Sequence, residues 1–383
     1  MKTIAYFSNF LNHHQKLLAD QLFFTEGISF TFVETVPMYN WLKKGGYSDY
    51  SNLQYVLRAW ENEDVWQRAV ELAISADIAL FGGPEVLSLL YVRAQSSDKL
   101  SFEVSERWLK KGFLNLFSPS LIKNMWYYHT LFGRKPVYKL CASAYAAGDQ
   151  YKLFSYKDRC YKWGYFTKVD DYNVEGCLDT AQPCTMKIMW CARFLKWKHP
   201  ELPIRLAARL KNKGYDFVID MYGSGDRLEK IRRLASRLDV LDVVNFCGNK
   251  PNAEILQEMS KHDIFLFTSD RNEGWGAVLN EAMSCRCAVV ASDKIGAVPY
   301  LINDGVNGMI FKSENLDSLE EKVVFLFNHP SEMCSMANNA YNTLKTVWSP
   351  ASAAKNLLQL IDDLTNGNDT SLVDGPCSKA LPI

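Results

Sequence analysis

The chain has 383 residues, 48% of them hydrophobic and 22% charged, a balance typical of globular proteins. Its 43 Lys and Arg residues are matched by 43 Asp and Glu residues, which excludes a global electrostatic attraction to nucleic acid or to membranes. The ten cysteines are scattered and match neither zinc ribbons nor C-x-x-C redox motifs. We therefore expect reduced, mostly buried cysteines in a cytoplasmic protein of two domains.

Short apolar runs alternate with helical patterns from end to end, which predicts parallel sheets covered by helices. In the first half, the predicted strands cover residues 3–8, 29–34, 77–81, 99–104 and 139–143, with helices such as 15–24 and 65–75 between them. In the second half, strands 186–191, 217–222, 243–246, 264–267, 288–291 and 308–311 alternate with helices 202–211, 227–237, 252–261 and 277–284. The N-terminal segment is predicted to be a strand rather than a signal peptide, and no apolar run approaches the ~18 residues of a membrane span.

This pattern predicts an α/β fold of two doubly wound, Rossmann-like domains that face each other across a cleft. Residues 1–170 form the first predicted domain and residues 184–348 the second. The linker is placed at residues 171–183, where large apolar side chains are few. We expect a helix over residues 349–365 that packs back on the first domain, followed by a polar, disordered tail over residues 366–383.

Polar side chains follow two strands of the first predicted domain, where ligands bind in parallel sheets. Asn12, His13 and His14 stand at the start of a helix, and the histidines can orient a phosphate or an acceptor hydroxyl. They can equally cap that helix. The loop over residues 82–85, which carries two glycines and Glu85, is expected to line the cleft.

Residues 107–139, from Arg107 to Lys139, contain seven Lys or Arg residues, eight aromatic residues and no Asp or Glu. Interleaved cations and rings suit an anionic membrane surface, and they also suit single-stranded nucleic acid. A pair of helices with buried rings and a solvated basic face explains the same composition. Peripheral membrane contact is therefore a hypothesis, and no nucleic-acid partner is expected.

The strongest motif runs from Glu273 to Glu281, directly after a predicted strand and into a helix. Gly274 and Gly276 flank Trp275 and let the backbone approach a ligand, and amides at a helix start attract a diphosphate. Carboxylates accept strong hydrogen bonds from sugar hydroxyls. The alternative is a capped amphipathic helix with two solvated glutamates.

Three weaker signals follow other strands of the second domain. Arg193 and Lys198 are cations that can hold a diphosphate. Gly223 and Gly225 can cradle a phosphate or simply turn the chain. The loop that contains Phe246 and Gly248 can contact a nucleobase, or can be a plain turn after a strand.

In order and spacing, these motifs and the run from Asp304 to Gly308 resemble the donor-binding domain of retaining GT-B glycosyltransferases, specifically glycosyltransferase family 4, over residues 185–311. The resemblance implies that residues 184–348 bind the nucleotide-sugar donor and residues 1–170 the acceptor. Arg193 and Lys198 would hold the donor diphosphate. Glu273 would contact the transferred sugar and Glu281 the ribose hydroxyls. Further donor contacts would come from the amides near Val278 and Leu279 and from the positions Gly223, Gly225, Phe246, Gly248, Gly274, Trp275 and Gly276.

The first domain departs from the family pattern, because the histidine that many members carry after a later strand is missing. Glu106 stands at the equivalent stretch and is the candidate for the polar role at the anomeric centre. Its alternative is an ion pair with Arg107. Asn12, His13 and His14 are assigned to the acceptor or phosphate side.

The resemblance implies a retaining, metal-independent enzyme that moves a hexose from a nucleotide diphosphate sugar to a glycan or lipid-linked acceptor in surface polysaccharide synthesis. No cofactor is expected beyond the donor substrate. The enzyme would be cytoplasmic, at the inner face of the cell membrane. The alternatives are a sugar-nucleotide epimerase of the same fold and a non-catalytic sugar-nucleotide-binding subunit.

Overall fold

The structure is a computed structural model that describes residues 1–40, 48–169 and 185–383. The chain forms two compact units: unit 1 contains Met1–Thr167 and Val347–Ile383, and unit 2 contains Lys168–Thr346. The linker predicted at residues 171–183 lies outside the described residues.

The described part of unit 1 forms a seven-stranded parallel sheet in the order β3-β2-β1-β4-β5-β6-β7. The strands are β1 (Lys2–Ser8), β2 (Ile28–Glu34), β3 (Val56–Arg58), β4 (Ile78–Gly82), β5 (Ser101–Ser105), β6 (Val137–Cys141) and β7 (Cys160–Lys162). The helices are α1 (His13–Phe23), α2 (Glu63–Ser75), α3 (Leu87–Ser96), α4 (Pro119–Thr130) and α5 (Ala146–Lys152), with a 3₁₀ turn at Gly112–Phe117 before α4. The central strands are nearly continuous apolar runs because helices cover both faces of a parallel sheet.

The described part of unit 2 forms a six-stranded parallel sheet in the order β10-β9-β8-β11-β12-β13. The strands are β8 (Met186–Cys191), β9 (Phe217–Tyr222), β10 (Val244–Gly248), β11 (Ile264–Phe267), β12 (Ala288–Ser292) and β13 (Met309–Phe311). The helices are α6 (Glu201–Asn212), α7 (Leu228–Arg237), α8 (Asn252–Met259), α9 (Val278–Ser284), α10 (Val298–Leu301), α11 (Leu316–Asn328) and α12 (Pro330–Asn342). Trp190, Phe194, Leu206 and Met221 belong to the buried core of this unit.

In each sheet, the strand order reverses beside the first strand. In unit 1, β1 lies between β2 and β4, and in unit 2, β8 lies between β9 and β11. A ligand crevice opens at such a switch point, outside the carboxyl ends of the two central strands. The topology therefore directs attention to the loops after β1 and β4 in unit 1, and after β8 and β11 in unit 2.

The C-terminal segment corrects one prediction. Helix α13 (Pro350–Thr365) belongs to unit 1, where Lys2 pairs with Asp362 at 2.7 Å. The expected disorder of residues 366–383 is wrong, because Cys377 and Ser378 are buried and Lys379 bridges Tyr161 of β7 in antiparallel fashion. The amides of Cys377 and Ala380 donate to the carbonyls of Lys162 and Cys160, so the tail covers this edge strand.

The cysteines agree with a reduced protein. Each of the eight within the described ranges is a free thiol, and six of them are buried. None of the helices in these ranges combines the length and apolar character required to span a membrane.

Candidate active site

The loops after β8 and β11 carry charged candidate residues of the site in unit 2. Their strands are neighbours, with Ile188 opposite Ile264, so the loops leave the same edge of the sheet. The amide of Asp270 donates to the carbonyl of Trp197 at 2.9 Å, which ties one loop to the other. Residues far apart in sequence therefore meet at the switch point of the sheet.

Lys198 and Glu273 form an ion pair across these two loops, and each side chain is only 11% exposed. The hydroxyl of Thr268 donates to the carbonyl of Lys198 at 2.6 Å and accepts from the indole of Trp190 at 2.9 Å. This chain of bonds fixes the lysine backbone on the end of β11. The ion pair is thus held in a set position by buried neutral groups.

His199 follows Lys198 in a left-handed backbone conformation with φ of 49°. Its ring nitrogens lie 2.8 Å from Glu201 and 3.4 Å from Asp270. Burial alone would lower the pKa of His199, but these carboxylates and Glu314 outweigh it and raise the pKa. Among the described residues, His199, Asp270 and Glu314 are the group whose ligand atoms lie close enough to hold a metal ion.

Glu281 lies on α9, and its Oε1 accepts a 2.9 Å hydrogen bond from the Asn252 side chain. Burial raises the pKa of Glu281 to about 7, so this carboxyl is partly protonated at neutral pH. Burial also raises the pKa of Cys191 to about 12, with the charge of Glu281 adding to the increase and that of Lys198 opposing it. Both charges therefore lie near the carboxyl end of β8.

Arg193 stands two residues after β8 with an exposed side chain. It has no ion-pair partner within the described part of the chain. An exposed guanidinium at a strand end can bind an anionic ligand without first breaking an internal salt bridge.

The two glycines after β9 serve the packing of two loops. A Cβ at Gly223 would lie 2.0 Å from the carbonyl oxygen of Ala192, and one at Gly225 would lie 2.6 Å from that of Phe194. The amide of Phe194 also donates to the carbonyl of Ser224 at 2.9 Å. This geometry supports the turn interpretation, and it brings the β9 loop against the loop that carries Arg193.

The side chains at other predicted donor positions lie in the core of unit 2 or within a strand. Trp275 is fully buried and its indole donates to Asn280 at 2.9 Å, so its side chain packs inside unit 2. Leu279 is also buried, which leaves only backbone groups to meet a ligand at these positions. Phe246 and Gly248 lie within β10 rather than in a loop after it, and Phe246 packs on the core.

The motif from Glu273 to Glu281 follows β11 as predicted, but its helix begins one residue later than the predicted 277–284. α9 covers seven residues from Val278, and its N-cap Ala277 makes no side-chain cap bond. Gly276 has φ of 92°, and a Cβ there would lie 2.5 Å from the ring of Phe267. Glycine is therefore required where the chain turns between Glu273 and this helix.

Unit 1 contains a cavity of about 600 Å³ between the loops at the carboxyl end of its sheet. Its walls include the predicted residues Asn12, His14 and Glu106 and the loop over residues 82–85. The switch-point rule thus places these candidates around one cavity. His13 is not among the residues that line it.

Asn12, rather than either histidine, caps α1, because its side chain accepts from the amides of His14 and Gln15 at 3.0 and 3.2 Å. The ring of His14 stacks on Tyr165 at 5.4 Å, and its buried Nδ1 has no hydrogen-bond partner among the residues that the structure describes. Burial and the neighbouring His13 lower the pKa of His14 to about 3, so the ring is neutral. A neutral imidazole favours a hydroxyl over a phosphate as its partner.

Glu106 accepts from the hydroxyl of Tyr165 at 2.8 Å and pairs with Lys110 at 2.5 Å. The alternative pairing with Arg107 is wrong, because Arg107 pairs with the buried Asp149 at 3.1 Å. Glu106 therefore forms part of the cavity wall, where Tyr165 and Lys110 are its partners.

A second ion pair was missed at the sequence level. Glu103 lines the cavity and pairs with Lys139 at 2.7 Å, and both are almost completely buried. The two residues lie opposite each other on β5 and β6. The signal available in the sequence was a charged residue within each of two apolar strands. The strand register then shows that these two residues lie opposite each other.

Residues 107–139 have features of both interpretations of their composition, the helix pair with buried rings and the surface with exposed rings. Tyr127, Tyr128 and Phe132 are buried, as the helix-pair interpretation requires. Phe113 and Phe117 are instead 67% and 82% exposed. Arg107 and Lys139 belong to buried ion pairs, so the ends of the stretch face the protein rather than solvent.

Comparison with known families gives a match within unit 2. Residues 185–343 match the model of the family described as Glycosyl transferases group 1. The match is confined to this part of the chain, and we call residues 185–343 the group 1 domain after it. The candidate residues Arg193, Lys198, Glu273 and Glu281 all lie within this group 1 domain.

Two curated relatives match part of the chain. An uncharacterized glycosyltransferase of Methanocaldococcus jannaschii is 25% identical over 182 residues, 47% of this chain and 46% of the relative. The amylovoran biosynthesis glycosyltransferase AmsK of Erwinia amylovora is 26% identical over 184 residues, 47% of this chain and 45% of the relative. The chain thus spans about half the length of the curated relatives it matches.

The whole chain has the GT-B fold. The crystal structure of HepE from Anabaena, in complex with UDP, aligns with a TM-score of 0.70 at 15% sequence identity. The alignment covers 96% of this chain and 100% of HepE. It confirms the predicted pair of Rossmann-like domains.

Proposed function

We propose that this chain is a retaining glycosyltransferase of family 4 that moves a hexose from a nucleotide diphosphate sugar to a hydroxyl group. The observation that carries the proposal is the Lys198–Glu273 ion pair at the switch point of the group 1 domain. Desolvation offsets much of the attraction within a buried ion pair, so such a pair is weak evidence for stability. A role in binding the charged donor explains why two loops bring it together.

Lys198 and Arg193 stabilise the departing diphosphate in this proposal. Negative charge grows on the diphosphate as the bond to the sugar breaks, and preorganised cations lower the free energy of that transition state. Lys198 is held in place through its backbone, whereas Arg193 is exposed and unpaired within the described residues. Arg193 therefore closes on the ligand after it arrives.

Glu273 and Glu281 bind the two sugars of the donor. When the diphosphate shares the charge of Lys198, the oxygens of Glu273 become available to hydroxyls of the transferred hexose. Glu281, with its pKa raised to about 7, can accept from one ribose hydroxyl and, when protonated, donate to the other. The proposed sugar contacts thus come from the two ends of one motif.

No metal ion is required in this proposal, because Lys198 and Arg193 supply the positive charge. We interpret the group of His199, Asp270 and Glu314 as an imidazole whose pKa the surrounding carboxylates raise, rather than as a metal site. We expect turnover of the wild type to be unchanged by a chelator. The variant His199→Gln should likewise show no change in its response to added metal. Stimulation by added zinc or magnesium that His199→Gln abolishes would contradict it.

The cavity of unit 1 binds the acceptor. Its wall presents a neutral imidazole, a tyrosine and the carboxylate of Glu106, groups that suit hydroxyls of a glycan or lipid-linked sugar. Glu106 is the polar group that we assign to the reacting hydroxyl or anomeric centre. The relative named for amylovoran biosynthesis supports surface polysaccharide synthesis as the setting.

The experiment begins with thermal-shift measurements against UDP-, GDP- and ADP-sugars, which select the donor. Transfer to an acceptor is then followed by proton NMR, which shows whether the anomeric configuration of the donor is kept. Retention supports the proposal and inversion contradicts the assignment to a retaining family. A Glu273→Ala variant that binds nucleotide yet transfers at the wild-type rate would contradict the assigned site.

The alternatives give different products in the same assay. An epimerase converts the donor to an isomer without any acceptor present. A binding subunit protects nucleotide from denaturation but neither transfers nor isomerises the sugar. Transfer that requires an acceptor separates the proposed enzyme from both.

A further inference from the structure

An exposed apolar surface lies on the 3₁₀ turn Gly112–Phe117 and on helix α4. Six large apolar side chains form it, and we call them the ridge: Phe113, Leu114, Leu116, Phe117, Ile122 and Trp126. Phe117 is 82% exposed and Leu114 is 73% exposed. A short segment that exposes this many large apolar side chains marks a place where a protein meets a partner or a membrane.

The charge around the ridge selects a membrane over a protein partner. Lys111, Lys123 and Arg134 are exposed and have no carboxylate partner among the described residues. Residues 107–139 contain no Asp or Glu. Apolar and aromatic side chains surrounded by cations suit an anionic lipid interface, where rings enter the headgroup layer and cations pair with lipid phosphates.

The inner side of the same segment faces the cavity of unit 1. Asn115, Ser118, Ser120 and Asn124 line that cavity together with the apolar Leu121, and they are interspersed in sequence with the ridge residues. The 3₁₀ turn and α4 therefore present apolar groups outward and polar groups to the proposed acceptor site. A surface that binds a membrane here would hold the cavity wall at the lipid headgroups.

We propose that the ridge docks this protein on an anionic membrane, and that the acceptor is a membrane-anchored amphiphile whose polar head enters the cavity of unit 1. The docking part stands on the exposed ridge and its cations alone. The acceptor part rests on the proposed function. Acceptors anchored in lipid would be concentrated at the cavity, whereas soluble sugars would gain nothing from docking.

Co-sedimentation of the full chain with lipid vesicles tests the docking. One vesicle type is phosphatidylcholine, and the other is phosphatidylcholine mixed with phosphatidylglycerol. We expect binding to the anionic vesicles that weakens as salt is added, because exposed charges are screened. The double variant Phe113→Ser and Phe117→Ser should bind about 10-fold more weakly, since two rings no longer enter the interface.

Phe24→Ser is the matched control, because Phe24 is also exposed in unit 1, at 76%, but lies outside the ridge. It should bind vesicles as the wild type does, and thermal unfolding should be unchanged in all variants. Absence of vesicle binding at low salt would overturn the docking proposal. Equal losses in the control and the ridge variant, or a ridge-dependent dimer in light scattering, would overturn it as well.

The acceptor part is tested with a radiolabelled donor, using separate lipid and aqueous extracts of the source cells as acceptors. The label should enter the lipid-extractable product, and about 10-fold more slowly with the ridge variant. Label found only in aqueous glycan, at equal rates for both proteins, would overturn this part. Failure of the proposed function would show differently, as no transfer by the wild type into either extract while vesicle binding persists.

Discussion

Replacing Lys198 by Met separates the structural and chemical roles of the central ion pair. The substitution leaves Glu273, whose side chain is 11% exposed, as an unpaired carboxylate. Removing one partner of a buried pair costs about 3–5 kcal/mol, a large part of the roughly 5–15 kcal/mol that stabilises a folded domain. Loss of a cation that stabilises transition-state charge should also lower kcat by about 10²–10³-fold.

The double variant Lys198→Met and Glu273→Gln distinguishes these effects. It removes both charges, so the free energy of unfolding should return to within about 1–2 kcal/mol of the wild type. The kcat should stay low because the diphosphate still lacks its cation. Lys196→Met, an exposed lysine two residues earlier, is the control and should change neither quantity.

Chemical denaturation and steady-state donor turnover measure the two quantities on the same protein samples. Recovered stability with lost turnover is the expected outcome for the double variant. Recovery of both would show that Lys198 acts only by pairing Glu273. Wild-type turnover in Lys198→Met would refute the diphosphate assignment directly.

Three further predictions follow from the site in unit 2. Arg193→Ala should lower turnover by about 10²-fold without changing the unfolding free energy, because Arg193 is exposed and unpaired within the described residues, and equal turnover would count against its role. The pKa of Glu281 is raised to about 7, so its contribution to stability is present below the ordinary pKa of 4.5 and is lost as pH rises through 7. The gain in unfolding free energy from Glu281→Gln should therefore grow over that pH range, and a pH-independent difference would contradict this. Gly276→Ala should destabilise unit 2 by about 1–3 kcal/mol in denaturant melts, because φ of 92° and the ring of Phe267 both oppose a Cβ, whereas an unchanged melt would show that the turn can relax.

Much of the fold could be predicted because its central strands are long, apolar and flanked by turn signals. β8, β9 and β11 begin and end at the predicted residues, since strands buried on both faces leave a continuous hydrophobic run. β3 and β7 were missed because each has only three residues and ends in a cation, whereas the equally short β13 is apolar throughout. Composition also failed at residues 366–383, where small polar residues can be either disordered or tightly packed.

The candidate site could be predicted as far as chain order and strand ends allow. Those ends placed Lys198 and Glu273 on one edge of a sheet, but the ion pair between residues 75 positions apart required the strand order. The burial of Trp275 could not be inferred, because a tryptophan beside a ligand and one in a core have the same sequence. The pairing of Glu103 with Lys139 depends in the same way on register.

In the proposed site, the donor diphosphate binds at Lys198 and Arg193, with the transferred hexose at Glu273. A crystal structure of the chain with an intact nucleotide diphosphate sugar tests it most directly. We expect phosphate oxygens within hydrogen-bonding distance of both cations and a hexose hydroxyl on Glu273. A diphosphate bound elsewhere in unit 2, with the Lys198–Glu273 pair undisturbed, would contradict it.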